Sequence, residues 1–163
     1  MNSLGAWLTR PGIENLRQLI SGELVMPDPM LDCLGYALTD VDENFCVFEG
    51  RPGPEHLNIT GNVHGGWAMS ILDSAAVLCV VTALPKGKLC ATNSLEVKFL
   101  RPLKSGQACI ARGDLITIGQ TLAHSRATLK DKTSGKLLAF CSCSVSVFDP
   151  REGGEHEYGL TAP

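Results

Sequence analysis

Residues 67 to 84, Trp-Ala-Met-Ser-Ile-Leu-Asp-Ser-Ala-Ala-Val-Leu-Cys-Val-Val-Thr-Ala-Leu, are apolar nearly all the way round a helix. A helix of that kind has no solvent face, so protein or lipid must enclose it. Lipid is disfavoured: eighteen residues barely span a bilayer, Asp73 with Ser70, Ser74 and Thr82 would be costly there, and Leu84 is followed by Pro85 rather than a basic flank. The run therefore predicts a buried central helix, and the rest of the chain must supply its enclosure.

The enclosure reads as strand. Residues 94–102, SLEVKFLRP, alternate Leu95, Val97 and Phe99 with Glu96 and Lys98. The segments ACIARGDLITIG (108–119), TLAHSRATLKD (121–131) and KLLAFCSCSVSVF (136–148) follow in the same style. Lys104-Ser105-Gly106, Gly119-Gln120 and Thr133-Ser134-Gly135 read as hairpin turns joining antiparallel neighbours. Upstream, residues 12–22 predict a short amphipathic helix through Ile13, Leu16, Leu19 and Ile20, with Gly22 as its stop. Residues 26–56 predict a hairpin around Asp-Val-Asp-Glu-Asn, then a Pro/Gly-rich loop. One long helix with five to six strands cannot be doubly wound, because parallel neighbours each need a crossover helix. The fold class is α+β, an antiparallel sheet wrapped around one central helix. At 163 residues the chain makes a single domain over 1–148, with 149–163 a polar tail.

Charge and cysteine usage narrow the partners. Fourteen Lys and Arg against 17 Asp and Glu, a net charge of -3, provide no basic excess for a nucleic-acid partner. Seven cysteines, an odd number placed singly apart from Cys141 and Cys143, fit no closed disulfide framework. They predict reduced, buried thiols in the cytoplasm. Neither CxxC nor HExxH spacing occurs, so no metal site and no cofactor is expected. The first sixteen residues do not read as a secretion signal.

The chemistry concentrates around the start of the central helix. His64-Gly65-Gly66 lies where the apolar run begins, so backbone N–H groups there lack intrahelical partners. Glycine at 65 and 66 removes the side chains that would hold a ligand away from those amides. The arrangement offers an oxyanion hole, although glycine at a plain helix start is common. Asp73 lies inside the apolar helix, where a carboxylate needs either a function or a hydroxyl or solvent partner. Eight residues separate Gly65 from Asp73, on the order of 12 Å along a helix. A donor and a base must both come within roughly 3 Å of one reacting group. One chain cannot meet that condition, but two antiparallel helices about a two-fold axis can, so an enzyme here would be a dimer with two sites.

The run N-I-T-G-N-V-H-G-G-x6-D, followed by T-N-S-L-E-V-K-F-L-R-P-L-x2-G, resembles the hotdog-fold acyl-CoA thioesterases of the phenylacetate-pathway (PaaI-like) branch of the 4-hydroxybenzoyl-CoA thioesterase superfamily. The resemblance covers roughly residues 55 to 148. It implies a hotdog fold, a homodimer and commonly a homotetramer, and hydrolysis of aryl- or medium-chain acyl-CoA to free acid and CoA. It further implies that the Gly65 N–H polarises the thioester carbonyl and that Asp73 attacks it or activates a water. Asn58 and His64 fall on positions that hold the water, the carbonyl or the departing sulfur. Thr92 falls where the family often bonds the carboxylate, with Ser94 as the alternative. Gly66 and Trp67 would border the substrate, Trp67 equally well being buried bulk.

Thiolate leaves readily, its parent pKa being roughly 8.5, and a site this sparse can suffice without a strong general acid. A Ser-His-Asp esterase would need a GxSxG elbow, which is absent. Arg101, Lys104, Arg112 and Arg126 are candidates by charge for the CoA phosphates; His56 and His124 read as structural, and His156 lies in the tail. Two other functions fit the same fold: a non-catalytic acyl-CoA-binding module, and a hydratase, which would need a His paired with an acid.

Overall fold

The computed structural model describes residues 3–151, so the tail expected over 149–163 lies mostly outside the described residues. Three short helices come first: α1 (Ser3–Trp7), α2 (Gly12–Ser21) and α3 (Pro29–Leu34). The hairpin β1 (Tyr36–Asp42) and β2 (Phe45–Gly50) follows, then a 3-10 turn at Pro54–His56 and the central helix α4 (Gly65–Val81). The chain ends in β3 (Leu89–Phe99), β4 (Cys109–Ile118), β5 (Leu122–Asp131) and β6 (Leu137–Phe148). All six strands form one antiparallel sheet in the order β1-β2-β4-β5-β6-β3.

The sheet closes on α4 because its strands alternate. On β6, Cys141, Cys143, Val145 and Val147 are buried while Phe140 and Ser142 face out, the period of two that puts alternate side chains on one face. From α4, Ala68, Ile71, Leu72, Ala75, Ala76, Cys79 and Val80 complete this core. Small residues let the layers approach closely: a side chain at Gly113 of β4 would collide with the Ala75 carbonyl. Three helix carbonyls take an extra bond from the sheet, Ala76 O from Ser125 Oγ at 2.6 Å, Ala75 O from Cys46 Sγ at 3.2 Å and Leu72 O from Cys141 Sγ at 3.9 Å. The helix stops at Val81, short of the apolar run's end, and Thr82 Oγ1 donates back to Cys79 O at 2.7 Å. The same hydroxyl accepts the Asn44 N–H in the β1–β2 turn, where Asn44 has φ +67°.

Three expectations need correction. The turn at Lys104-Ser105-Gly106 does not join neighbours: β3 pairs with β6 at the edge of the sheet, while β4 lies between β2 and β5. Residues 100–108 are instead a crossover, longer than a hairpin turn. It docks through buried Leu103, whose carbonyl accepts the Val63 N–H at 3.1 Å, and so comes alongside the start of α4. Helices α1 and α3 have no counterpart among the elements expected from the sequence. Helix α3 carries its signals, Asp28 capping the Leu31 N–H, Pro29 in the first turn and Gly35 at φ +65°, but six residues are too few for a helical period to register. Lastly, all seven cysteines are free, but Cys33 is exposed and Cys90 half-buried, against the expectation that all are buried.

Candidate active site

The segment before α4 is held by Asn58. Its Oδ1 accepts from Thr60 N at 2.9 Å, Thr60 Oγ1 at 2.7 Å and Asn62 N at 3.2 Å, a side-chain-closed turn typical of asparagine. With the oxygen so occupied, the Asn58 amide can offer a ligand only its NH2 donors. His64 caps α4: its Nδ1 accepts the Gly66 N–H at 2.9 Å, which puts the ring proton of the neutral form on Nε2. The amide of Gly66 is thereby used up. The amide of Gly65, one residue earlier, has no protein acceptor among the described residues. A side chain at Gly65 would press on the Phe99 ring.

Asn58, His64 and Gly65, but not Gly66, line a cleft of about 370 Å3 together with Asn62, Ala68 and the Phe99–Leu103 stretch. Phe99, 50% exposed, and Asn62 are site residues that the sequence does not single out. Phe99 reads there as one more apolar member of a strand alternation, and Asn62 is unremarked between glycine and valine. Asn62 Oδ1 accepts from Lys104 Nζ at 2.7 Å, which brings one candidate cation to the cleft's edge. Arg101 lines it too, donating to Leu137 O at 2.6 Å. Arg112 is committed elsewhere, paired with Asp114 at 2.9 Å and stacked over Phe45 at 3.9 Å. Arg126 is exposed on β5, directly across from Asp114 on β4.

Asp73 is half-buried, two turns further along α4. Its Oδ1 accepts from Thr92 Oγ1 at 2.8 Å. Thr92 and Ser94 flank a bulge in the β3–β6 pairing, a device that re-aims side chains, and Thr92 is the one that meets the carboxylate. Beside this pair, Tyr36 Oη lies 3.2 Å from Ser74 Oγ, and the phenol is pushed up by burial, with Asp28 and Asp73 adding to it. The Cys141 and Cys143 thiols are each pushed up to about 11, by burial first, with the Asp73 charge contributing. They stay protonated near neutral pH and cannot compete as nucleophiles.

The structure therefore brings together two groups rather than one. Asn58, His64 and Gly65 share the cleft; Asp73 and Thr92 share a hydrogen bond; neither Asp73 nor Thr92 lines that cleft. Trp67 is 2% exposed, with its indole N–H on Leu34 O at 2.7 Å, and packs edge-on against Tyr36. In this chain it is core rather than pocket wall. His56 accepts the Gly53 N–H on Nδ1 at 2.9 Å, with Nε2 3.2 Å from Cys33 O, and His124 lies 3.2 Å from Ser144 Oγ. Neither lines the cleft. No helix among the described residues is long and apolar enough to cross a membrane, and no three metal-ligating side chains cluster among them.

Six antiparallel strands around one central helix make an α+β hotdog-like fold, the fold of the thioesterases. Residues 60–138 match the thioesterase superfamily, and the chain carries a domain of that superfamily; it is a thioester hydrolase. It is 24% identical over 128 residues to acyl-coenzyme A thioesterase 13 of Mus musculus, covering 77% of this chain and 89% of that protein. A mutant of the phenylacetic acid degradation protein PaaI from Thermus thermophilus is 27% identical with a TM-score of 0.66, over 73% of this chain and 98% of that one. A phenylacetic acid degradation-related protein from Ralstonia eutropha JMP134 is 25% identical with a TM-score of 0.72, over 81% of this chain and 98% of that one.

Proposed function

We propose that the protein hydrolyses acyl-CoA thioesters, aryl or medium-chain, to the free acid and CoA. The observation that carries the reading is the separation of its two reactive groups along one helix. Gly65 offers an unpartnered amide at the positive end of the α4 dipole, where developing negative charge is stabilised. Asp73, held by Thr92, keeps its second carboxylate oxygen without a protein donor among the described residues. Two copies meeting across the free edge of β3, with their α4 helices antiparallel, bring Gly65 of one protomer to Asp73 of the other. Strand β3 is eleven residues long and unpaired on its outer side, an edge that ordinarily needs covering.

In the assembled site the thioester carbonyl accepts from the Gly65 N–H, and the Nδ2 donors of Asn58 and the His64 Nε2–H are available to the carbonyl or to the departing sulfur. Asp73 acts as base for a water or as nucleophile on the carbonyl carbon. With water, Asp73 takes its proton, the tetrahedral oxyanion forms at the amide, its collapse breaks the carbon–sulfur bond, and the proton held by Asp73 passes to the departing thiolate. As nucleophile, Asp73 expels the CoA thiolate to form an acyl–Asp73 anhydride that water then hydrolyses; in single turnover in 18O-labelled water, unlabelled acid with label left on Asp73 marks this route with water attacking the Asp73 carbonyl carbon. Arg101 and Lys104 are the cations nearest for CoA phosphate groups. Dimers pair further into a homotetramer, and a reducing cytoplasm suits seven free thiols.

The deciding experiment follows free thiol from phenylacetyl-, hydroxyphenylacetyl-, benzoyl- and aliphatic acyl-CoAs, with light scattering of the same preparation. Wild type releases thiol as a dimer or tetramer, and Asp73→Asn, equally assembled, does not. Undiminished release by Asp73→Asn, or full activity as a monomer, overturns the reading.

A further inference from the structure

The face of α4 that carries Asp73 continues, beyond it, into an apolar space roofed by the N-terminal helices. Asp73 and Val77 are one turn apart on the same face, and Thr92 and Cys90 are alternate residues on the same side of β3. Helix and strand run in opposite directions, so Asp73–Thr92 is followed by Val77–Cys90 as one moves away from Gly65. Val77 and Cys90 line a cavity of about 200 Å3 together with Trp7 and Met26. A larger space of about 580 Å3 adjoins it, sharing Trp7, Met26, Leu78 and Val81 as walls. Its lining is mostly apolar, with Tyr36 and the rim carboxylates Asp28 and Asp32 as its polar members. That size and composition suit an apolar ligand.

The roof is anchored rather than loosely laid. Asn15 on α2 is fully buried and donates its Nδ2 to Trp7 O at 2.7 Å, tying α1 to α2. Helix α2 is in turn fixed to the end of α4 by the Gly12 N–H on Leu84 O at 3.0 Å, and a side chain at Gly12 would collide with the Val81 carbonyl. Trp7 and Met26 belong to a segment that lies outside residues 60–138, the part matched to the superfamily.

Building on the hydrolysis proposed above, we propose that this space is the acyl-chain subsite. It takes an extended aliphatic chain of about eight to twelve carbons, with Trp7 and Met26 setting the length. From Asp73 to Val81 is two turns, about 11 to 12 Å along the helix. At roughly 1.3 Å of reach per bond, three bonds covering 3.8 Å in an extended backbone, that distance holds about nine bonds. The acyl carbonyl lies at Asp73 and the chain runs past Val77 and Cys90 to the roof.

The test compares kcat/KM for butyryl- and decanoyl-CoA on the full chain and on two variants from different elements, Cys90→Phe in β3 and Met26→Trp in the segment between α2 and α3. Wild type favours decanoyl-CoA at least 100-fold, and each variant lowers that ratio at least tenfold. Because the readout is a ratio, partial loss of folded protein cancels. Hydrolysis of butyryl- or phenylacetyl-CoA without a decanoyl preference, or a ratio unmoved in both variants, overturns the subsite while leaving the hydrolase reading intact. Release of thiol from no thioester instead overturns that reading. The subsite is then judged on the Kd ratio of the same two thioesters, which must show the same preference and the same loss in the variants.

Discussion

The two faces of α4 are made from one continuous run of seventeen residues and do opposite things. On the face toward the sheet, Ile71, Leu72, Ala75, Ala76, Cys79 and Val80 are fully buried, packed so tightly that sheet side chains bond helix carbonyls. On the adjoining stripe, Ser70, Asp73 and Val77 are half-buried and Met69 is 42% exposed, while Gly65, also half-buried, opens the helix. The first face holds the fold together; the second leaves its amide and carboxylate free to be met by something else. Stability and chemistry thus occupy adjoining stripes of one helix, centred about a third of a turn apart at 3.6 residues per turn.

The largest expected effect lies on the open face. Asp73→Asn should lower kcat/KM by roughly 100-fold to 10,000-fold, the range for removing a general base, while moving the unfolding free energy by no more than about 0.5 kcal/mol. A matched loss of stability in urea titration would break the comparison. The opposite substitution, Ile71→Ala, should cost about 2 to 5 kcal/mol of stability, because a fully buried side chain leaves both lost transfer energy and a cavity. Its kcat, measured where the variant remains folded, should stay within about threefold of wild type. Thr92→Val comes next: losing the hydroxyl on Asp73 Oδ1 should lower kcat about tenfold, the equivalent of one hydrogen bond to a charged group, with an altered pH–rate profile as its signature. Thr92→Ser should recover most of the rate, and equal effects of Val and Ser would show that the bond is incidental.

The sequence discloses these faces unequally. The sheet-facing side is legible, because an apolar run with small residues, followed by alternating strands, admits one economical enclosure. Gly65, His64 and Asp73 stand out as exceptions within or beside that run, and Thr92 is located by its place on the strand. What stays hidden depends on tertiary distance. The Asn62–Lys104 bond and the Tyr36–Ser74 pair join residues 42 and 38 apart, and the Phe99 wall waits on the direction a strand face takes. The pairing of β3 with β6 escapes for a related reason: a Lys-Ser-Gly turn marks a reversal of direction, not which strand comes to lie alongside. Helix α3 escapes because it is nearly all cap.

The smallest expected effect sharpens the comparison through pH. The interface of the buried face with the sheet carries thiols that are pushed up by desolvation, Cys79 on α4 to about 12, with Cys46 on β2 raised further still. A thiol raised in the folded state stabilises the protein fully below its unfolded value of about 8.5, and this contribution is lost as pH climbs toward the folded value, since the unfolded chain gives up its proton first. Between about pH 9 and 11, each such thiol should steepen the loss of stability by up to about 1.4 kcal/mol per pH unit. Cys79→Ala should therefore lower stability modestly near neutral pH but flatten the alkaline slope by about one thiol's share, read from urea midpoints at about pH 8, 9, 10 and 11. An identical slope in wild type and Cys79→Ala would mean that the helix loosens before its thiols ionise, and that the closely packed face yields to alkali by another route than the charge of its own side chains.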